Sequence, residues 1–124
     1  EVVHVQHIPA GEGIGYGSTY ITPEPMTIAT IPVGYADGYP RSLSNRGTVL
    51  IHGTRCPVVG RICMDQFMVA VPDTITVKPG DKVVLLGSQG HESISALEIA
   101  ALTFSTLVKL TSYVVILSYI EKSP

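Results

Sequence analysis

Apolar and β-branched residues recur in short runs through the first two-thirds of the chain, and Gly and Pro interrupt those runs every few residues. Runs of that length and makeup are strand signals, because branched side chains fit a pleated, half-buried surface. The pattern predicts strands over residues 2–8, 26–33, 48–51, 56–59, 67–71 and 82–86. The segment HGTR, residues 52–55, reads as the loop of a hairpin. Lys78-Pro79-Gly80-Asp81 reads as a turn in which Gly80 takes a positive φ of the type II kind.

One helix interrupts this pattern late. Ser95 and Glu98 stand at capping-box spacing, and the apolar residues that follow predict a helix over 95–109. Strand character returns over 113–120. Many short strands, frequent turns and a single helix predict one mainly β domain, residues 1–124, built as a small Greek-key-like β-barrel.

Composition narrows the function. The chain has 124 residues, 45% of them apolar and 15% charged, with a formal net charge of −2. This is enough for one core, and it argues against disorder. No basic stripe exists to neutralise phosphates, so nucleic acid is not an expected partner. The apolar stretch near residues 99–120 is broken by Thr103, Ser105, Lys109, Thr111 and Ser112, so a membrane span is not expected. Cys56 and Cys63 have no companions at metal-site spacing, so reduced cytosolic thiols and no metal are expected. The opening EVVHVQHI already has strand character and no initiator methionine, as in a piece of a longer protein.

Four stretches hold more special residues than strands require: IGYGSTY from Ile14, GYADGYPR from Gly34, VGRICMDQ from Val59, and Ser112-Tyr113. Taken singly, each has an ordinary explanation. Tyrosines near turns pack a ring on the core and leave the hydroxyl to a carbonyl or water. An Asp-Gly pair turns a chain without further purpose. The histidines His4, His7, His52 and His91 are scattered. On a strand, His4 and His7 point to opposite faces.

Taken together and in order, the four stretches resemble alanine racemase, specifically its C-terminal β-domain, whose patterns are close to SYGATY, GYADG and VGRICMDQ, with a Tyr opening the last strand. This chain reads GYGSTY, GYADGY, VGRICMDQ and TSY. It departs from the pattern at Gly15 and Ser18, and at Val114, where the family continues with Glu.

The resemblance implies a two-domain homodimeric isomerase using pyridoxal 5′-phosphate, which interconverts L- and D-alanine in the cytoplasm for peptidoglycan precursors. The cofactor's lysine belongs to an N-terminal barrel, so the present chain alone is expected to be inactive. Tyr16 matches the catalytic tyrosine, acting on one face of the substrate Cα in the partner subunit's active site. Met64 matches a residue whose backbone N–H lies near the substrate carboxylate, with Asp65 supporting that geometry. Tyr35 matches a tyrosine lining the entrance or the substrate pocket. Tyr113 matches an inner-gate tyrosine that contacts the cofactor phosphate. No cation is evident beside Tyr16 in the sequence. Two other functions fit the same residues: a non-catalytic β-barrel module for oligomerisation or binding, and a racemase of serine or another small amino acid.

Overall fold

The computed structural model describes residues 1–103, with Tyr16 as backbone only. In chain order the strands are β1 (His4–Ile8), β2 (Gly13–Ile14), β3 (Tyr20–Ile21), β4 (Met26–Ile31), β5 (Thr48–Ile51), β6 (Thr54–Val59), β7 (Phe67–Val71), β8 (Val83–Val84), β9 (Gly87–Gln89) and β10 (Glu92–Ile94), followed by helix α1 (Ala96–Thr103). Six of these strands form one antiparallel sheet in the order β1-β4-β7-β6-β5-β8. Strands β5, β6 and β7 are consecutive neighbours, and β4 lies beside β7. That is the Greek-key arrangement expected from the sequence. The sheet curls into a half-barrel with β1 and β8 at its edges. Val2 draws those edges together, donating to Asp81 O at 2.9 Å and accepting from Gly80 N at 2.8 Å.

The central strands read as unbroken apolar runs because both of their faces are covered. Ala29, Ile31, Val69 and Val71 face the main core with Leu50, Cys56 and Ile99. Ile28, Val59 and Ala70 face a second cluster with Ile14, flanked by Tyr20 and Met26. The β2–β3 hairpin contributes Ile14 and Tyr20 to that cover.

Where boundaries moved, local chemistry explains it. The loop predicted over 52–55 is only two residues long. His52 (φ 54) and Gly53 (φ 70) make the turn, and Ile51 pairs with Thr54. Two positive-φ residues match the twist of the flanking strands, so Thr54 and Arg55 join β6. The strand predicted over 82–86 pairs only at Val83–Val84. Leu85 and Leu86 pack on the core instead, and Gly87 at φ 123 redirects the chain into β9. Gly80 has φ 95, and Asp81 N bonds Lys78 O at 3.1 Å, as expected for that turn.

Helix α1 starts where Ser95 predicted, with Glu98 N donating to Ser95 Oγ at 3.1 Å. The capping box is only half made, because the Glu98 carboxylate is taken by Arg55. Residues 104–109 of the predicted helix, the predicted strand over 113–120, and Tyr113 lie outside the described residues. Both cysteines are free thiols. Among the described residues, no helix is long and apolar enough to cross a membrane.

Candidate active site

The long Greek-key connection from β4 to β5 carries GYADGYPR and lays it across the VGRICMD segment that follows β6. In GYADG, Gly34 N donates to Asp37 Oδ2 at 3.0 Å, and Asp37 N returns a bond to Gly34 O at 3.0 Å. This closes a 3-10 turn over Tyr35–Asp37, which Gly38 ends at φ 97. The two tyrosines of the motif then diverge. Tyr39 is buried and stacks on Phe67 with ring centroids 4.8 Å apart. Tyr35 is exposed, with the Arg41 guanidinium 5.3 Å above its ring.

Backbone bonds clasp the two motifs. Tyr35 N donates to Cys63 O at 3.0 Å and Ala36 N to Met64 O at 2.9 Å. Gly34 sits so close to these carbonyls that a Cβ there would overlap Cys63 and Met64. A second turn, with Cys63 N donating to Gln66 O at 2.9 Å, presents Met64 at the surface. Its carbonyl is used by the clasp. Its N–H has no hydrogen-bond partner among the described residues and lies in an exposed residue. Asp65 is exposed, and its carboxylate makes no hydrogen bond or ion pair among the described residues.

The third motif arrives from the other side. Tyr16–Ser18 form a 3-10 turn between β2 and β3, flanked by Gly15 at φ 76 and containing Gly17 at φ 74. Gly15 is glycine for a steric reason as well, since a Cβ would stand 3.1 Å from Arg61 N. Across the contact, a Cβ on Gly60 would stand 2.7 Å from Ile14 O. The Arg61 guanidinium lies along Gly17, 3.5 Å from where a Cβ would be. Sequence reading found no cation for this turn; the fold brings one from 44 positions further along, 61 against 17.

Sequence reasoning also missed Ser44 and Asn45. Ser44 Oγ accepts from Ile62 N at 2.9 Å and donates to Arg41 O at 2.7 Å. Asn45 Oδ1 accepts from Gly60 N at 2.6 Å, and its Nδ2 donates to Thr19 Oγ1 at 3.1 Å. Such long-range bonds have no local sequence signature. The one available hint was two cap-type residues just after GYADGYPR.

These contacts enclose a cleft of about 240 Å³ lined by Tyr35, Arg41, Arg61, Ile62, Cys63 and Met64. Neither arginine has a carboxylate partner among the described residues, and Met64, whose N–H has no acceptor among them, lines the same cleft. Donors without acceptors suit a small anion. A slightly larger cleft of about 290 Å³, lined by His7, Pro9, Met26 and Asp73 among others, contains none of the motif residues. Among the described residues no group of three His, Cys, Asp or Glu could hold a metal ion.

Comparison with known proteins agrees with the motifs and the fold. The profile of the family "Alanine racemase, C-terminal domain" matches residues 1–116. The alanine racemase of Carboxydothermus hydrogenoformans is 56% identical over 101 residues, 82% of this chain and 27% of the relative. That of Symbiobacterium thermophilum is 60% identical over 98 residues, 79% of this chain and 26% of the relative. The chain therefore spans about a quarter of the length of the relatives it matches. Among solved structures, alanine racemase from Bacillus anthracis with bound L-Ala-P aligns with a TM-score of 0.80 and 42% identity, over 96% of this chain and 28% of that one. The Bartonella henselae enzyme with covalently bound pyridoxal phosphate aligns with a TM-score of 0.78 and 36% identity, over 90% of this chain and 30% of that one. Motifs, sheet order and comparisons converge, and the chain belongs to the alanine racemase C-terminal domain family.

Proposed function

We propose that the full-length protein bearing this chain is an alanine racemase that interconverts L- and D-alanine, in the cytoplasm, for peptidoglycan precursor supply. In this reading the chain supplies one side of an active site completed by a barrel domain and by the second subunit of a homodimer. The observation that carries the reading is the cleft lined by the GYADGYPR and VGRICMDQ motifs, with the Tyr16 turn packed against Arg61 beside it and Met64 N–H without an acceptor among the described residues.

The described residues fit pyridoxal phosphate as a complementary wall, and none of them supplies its covalent anchor. The described lysines, Lys78 and Lys82, lie in or beside the 78–81 turn and do not line the cleft. Arg41 and Arg61 match an anionic group, either carboxylate or phosphate. When bound, the cofactor draws off electrons and makes the substrate Cα–H acidic.

The chain's own tasks follow from the chemistry. Inverting Cα needs a base on one face and an acid on the other. Tyr16 is the group that takes the proton from L-alanine and returns it in the opposite direction. A tyrosine ordinarily ionises near ~10, so a base at this position needs a cationic neighbourhood to favour the phenolate. Met64 N–H holds the substrate carboxylate, and Asp65 belongs to the same turn. Tyr35 lines the entrance or the substrate pocket. Tyr113 is assigned to the cofactor phosphate.

The test is exchange of the Cα proton in D2O, followed separately for each enantiomer by the full-length protein. Net turnover is unsuitable, because two enantiomers of equal free energy tie the two directions together. Tyr16→Phe should abolish exchange into L-alanine and leave exchange into D-alanine largely intact. Equal small effects on both enantiomers would remove Tyr16 from the mechanism. The 124-residue chain alone should neither bind the cofactor covalently nor exchange either enantiomer.

A further inference from the structure

The Tyr16–Ser18 turn has little of its own to hold it in place. It contains a left-handed Gly17 at φ 74, and the β2–β3 hairpin that brackets it has two residues per strand. A phenol carried on such a turn would wander by more than proton transfer tolerates, unless something outside the hairpin fixes it.

One end of the turn is fixed by packing, where Ile14 and Gly15 press against the backbone of Gly60 and Arg61. The other end is Thr19, which closes the turn at φ −72 and ψ −10. Thr19 Oγ1 accepts from Asn45 Nδ2 at 3.1 Å. Asn45 in turn grips Gly60 twice, taking Gly60 N on Oδ1 at 2.6 Å and donating its own N–H to Gly60 O at 3.2 Å. Because Gly60 N can only donate, Oδ1 must face it, and Nδ2 is thereby aimed at Thr19. The contacts form a closed circuit from Ile14 through the turn to Thr19, across Asn45 to Gly60, and back to Ile14.

We propose that Asn45, acting through Thr19, is a positioning residue that fixes the Tyr16 turn relative to the segment presenting Met64 N–H. The inference rests on the racemase reading above. Gly60 lies four residues before Met64, and Ser44 Oγ holds Ile62 N between them at 2.9 Å. The pair Ser44-Asn45 therefore spaces the two groups that the reaction needs on one substrate, the proton-transferring phenol and the carboxylate donor. Core packing does not account for Asn45. It is exposed, and its φ of 58 is a conformation Asn adopts readily.

The test uses the full-length protein, with exchange of the Cα proton in D2O followed for each enantiomer. Asn45→Gly keeps the left-handed backbone and deletes both side-chain bonds. Thr19→Val deletes one hydroxyl and preserves shape, and Thr19→Ser restores the hydroxyl. Asn45→Gly and Thr19→Val should slow exchange into L-alanine about tenfold, in keeping with the steep cost of misplacing a reacting group. Exchange into D-alanine should change by less than about twofold on the same scale, and Thr19→Ser should recover the wild-type rate.

Wild-type exchange of both enantiomers by Thr19→Val would overturn the inference. An equal fall for both enantiomers, accompanied by a lower melting temperature, would overturn it too by showing a merely structural role. Tyr16→Phe run in parallel separates the two claims. If Tyr16→Phe abolishes L-alanine exchange while Thr19→Val is silent, only the positioning role fails. If Tyr16→Phe is itself silent, the racemase assignment of Tyr16 fails with it. Should Asn45→Gly not fold, Thr19→Val carries the test.

Discussion

Arg55 grips Glu98 with both ends of its guanidinium, Nη1 to Oε2 at 2.7 Å and Nη2 to Oε1 at 2.9 Å. The same side chain bonds Glu92 Oε1 at 3.0 Å and Ser93 O at 2.8 Å. One arginine of β6 thus ties down both the β9–β10 hairpin and the first turn of α1. A fork of this kind depends on the planar guanidinium, so lysine is not an equivalent replacement. The pair is partly exposed, and its worth is about 1 kcal/mol. Arg55→Lys should therefore speed amide exchange in α1 about fivefold while leaving the β4 and β7 amides unchanged. Hydrogen exchange read by mass spectrometry checks this, and uniform acceleration across the sheet would contradict a local clasp.

Acid should loosen this clasp and, separately, the 78–81 turn. The Arg55 hydrogen bond holds Glu98 below its ordinary value of 4.5. The Lys78 backbone N–H, helped by His52, holds Asp81 below 3.8. A carboxyl depressed in the folded state stabilises the fold above its ordinary value. That contribution is lost as pH falls through the folded value, because the unfolded chain then binds more protons. The expected loss begins below about pH 4.5 for Glu98 and below about pH 3.8 for Asp81. Glu98→Gln and Asp81→Asn should each flatten the acid limb of a near-UV circular dichroism titration. A limb as steep in both variants as in the wild type would assign acid sensitivity elsewhere.

Much of this was legible in the chain because the signals were local. MTIATI and FMVAV are strands, and Ser95 starts the helix, since branched residues and a cap hydroxyl act within a few positions. The hairpins Gly13–Ile14 with Tyr20–Ile21, and Gly87–Gln89 with Glu92–Ile94, gave no alternation to read. Their strands are two or three residues long, too short for a period to show, and Gly13 and Gly87 open two of them. The motifs marked the residues proposed for the site, but not the hydrogen bonds between them. Whether Tyr35 or Tyr39 faced outward depended on a stack with Phe67, 28 positions away from Tyr39, 67 against 39. Asn45 and Arg61 likewise acquire their roles only when the Greek-key connection brings distant segments together.

The two thiols should differ sharply in reactivity. Cys56 is fully buried in the main core, and burial pushes its thiol up to about 11. Little thiolate forms there at neutral pH, and reagents cannot reach it. Cys63 is half-buried and lines the cleft beside Met64. In a native protein treated with a maleimide at neutral pH, peptide mapping should find Cys63 labelled and Cys56 untouched. Both should label in denaturant. Native labelling of Cys56 at a comparable rate would mean that the core opens far more readily than its packing suggests.

The clasp between Gly34 and the Cys63–Met64 carbonyls gives the sharpest steric prediction. Gly34 is extended, at φ −143 and ψ −168, so alanine meets no backbone strain there. The added methyl is the whole perturbation, and it would overlap two main-chain carbonyl groups that cannot rotate away as a side chain would. Those carbonyls also accept from Tyr35 N and Ala36 N, so relief requires the GYADG turn to lift off the VGRICMD segment. Overpacking of this kind costs about 1–3 kcal/mol of stability. Lifting the turn also shifts Met64 N–H, and on the proposed racemase reading a misplacement near 1 Å costs about a hundredfold in rate. Gly34→Ala in the full-length protein should therefore raise KM for alanine and lower kcat/KM by roughly 10- to 100-fold, beyond what its lowered melting temperature explains. Gly80→Ala is the control, since its Cβ would meet nothing within 4 Å and the cost there is only that of a positive φ. It should lower stability and leave kcat/KM within about twofold of wild type. If both variants lose rate in proportion to stability, the Gly34 clasp contributes to folding alone.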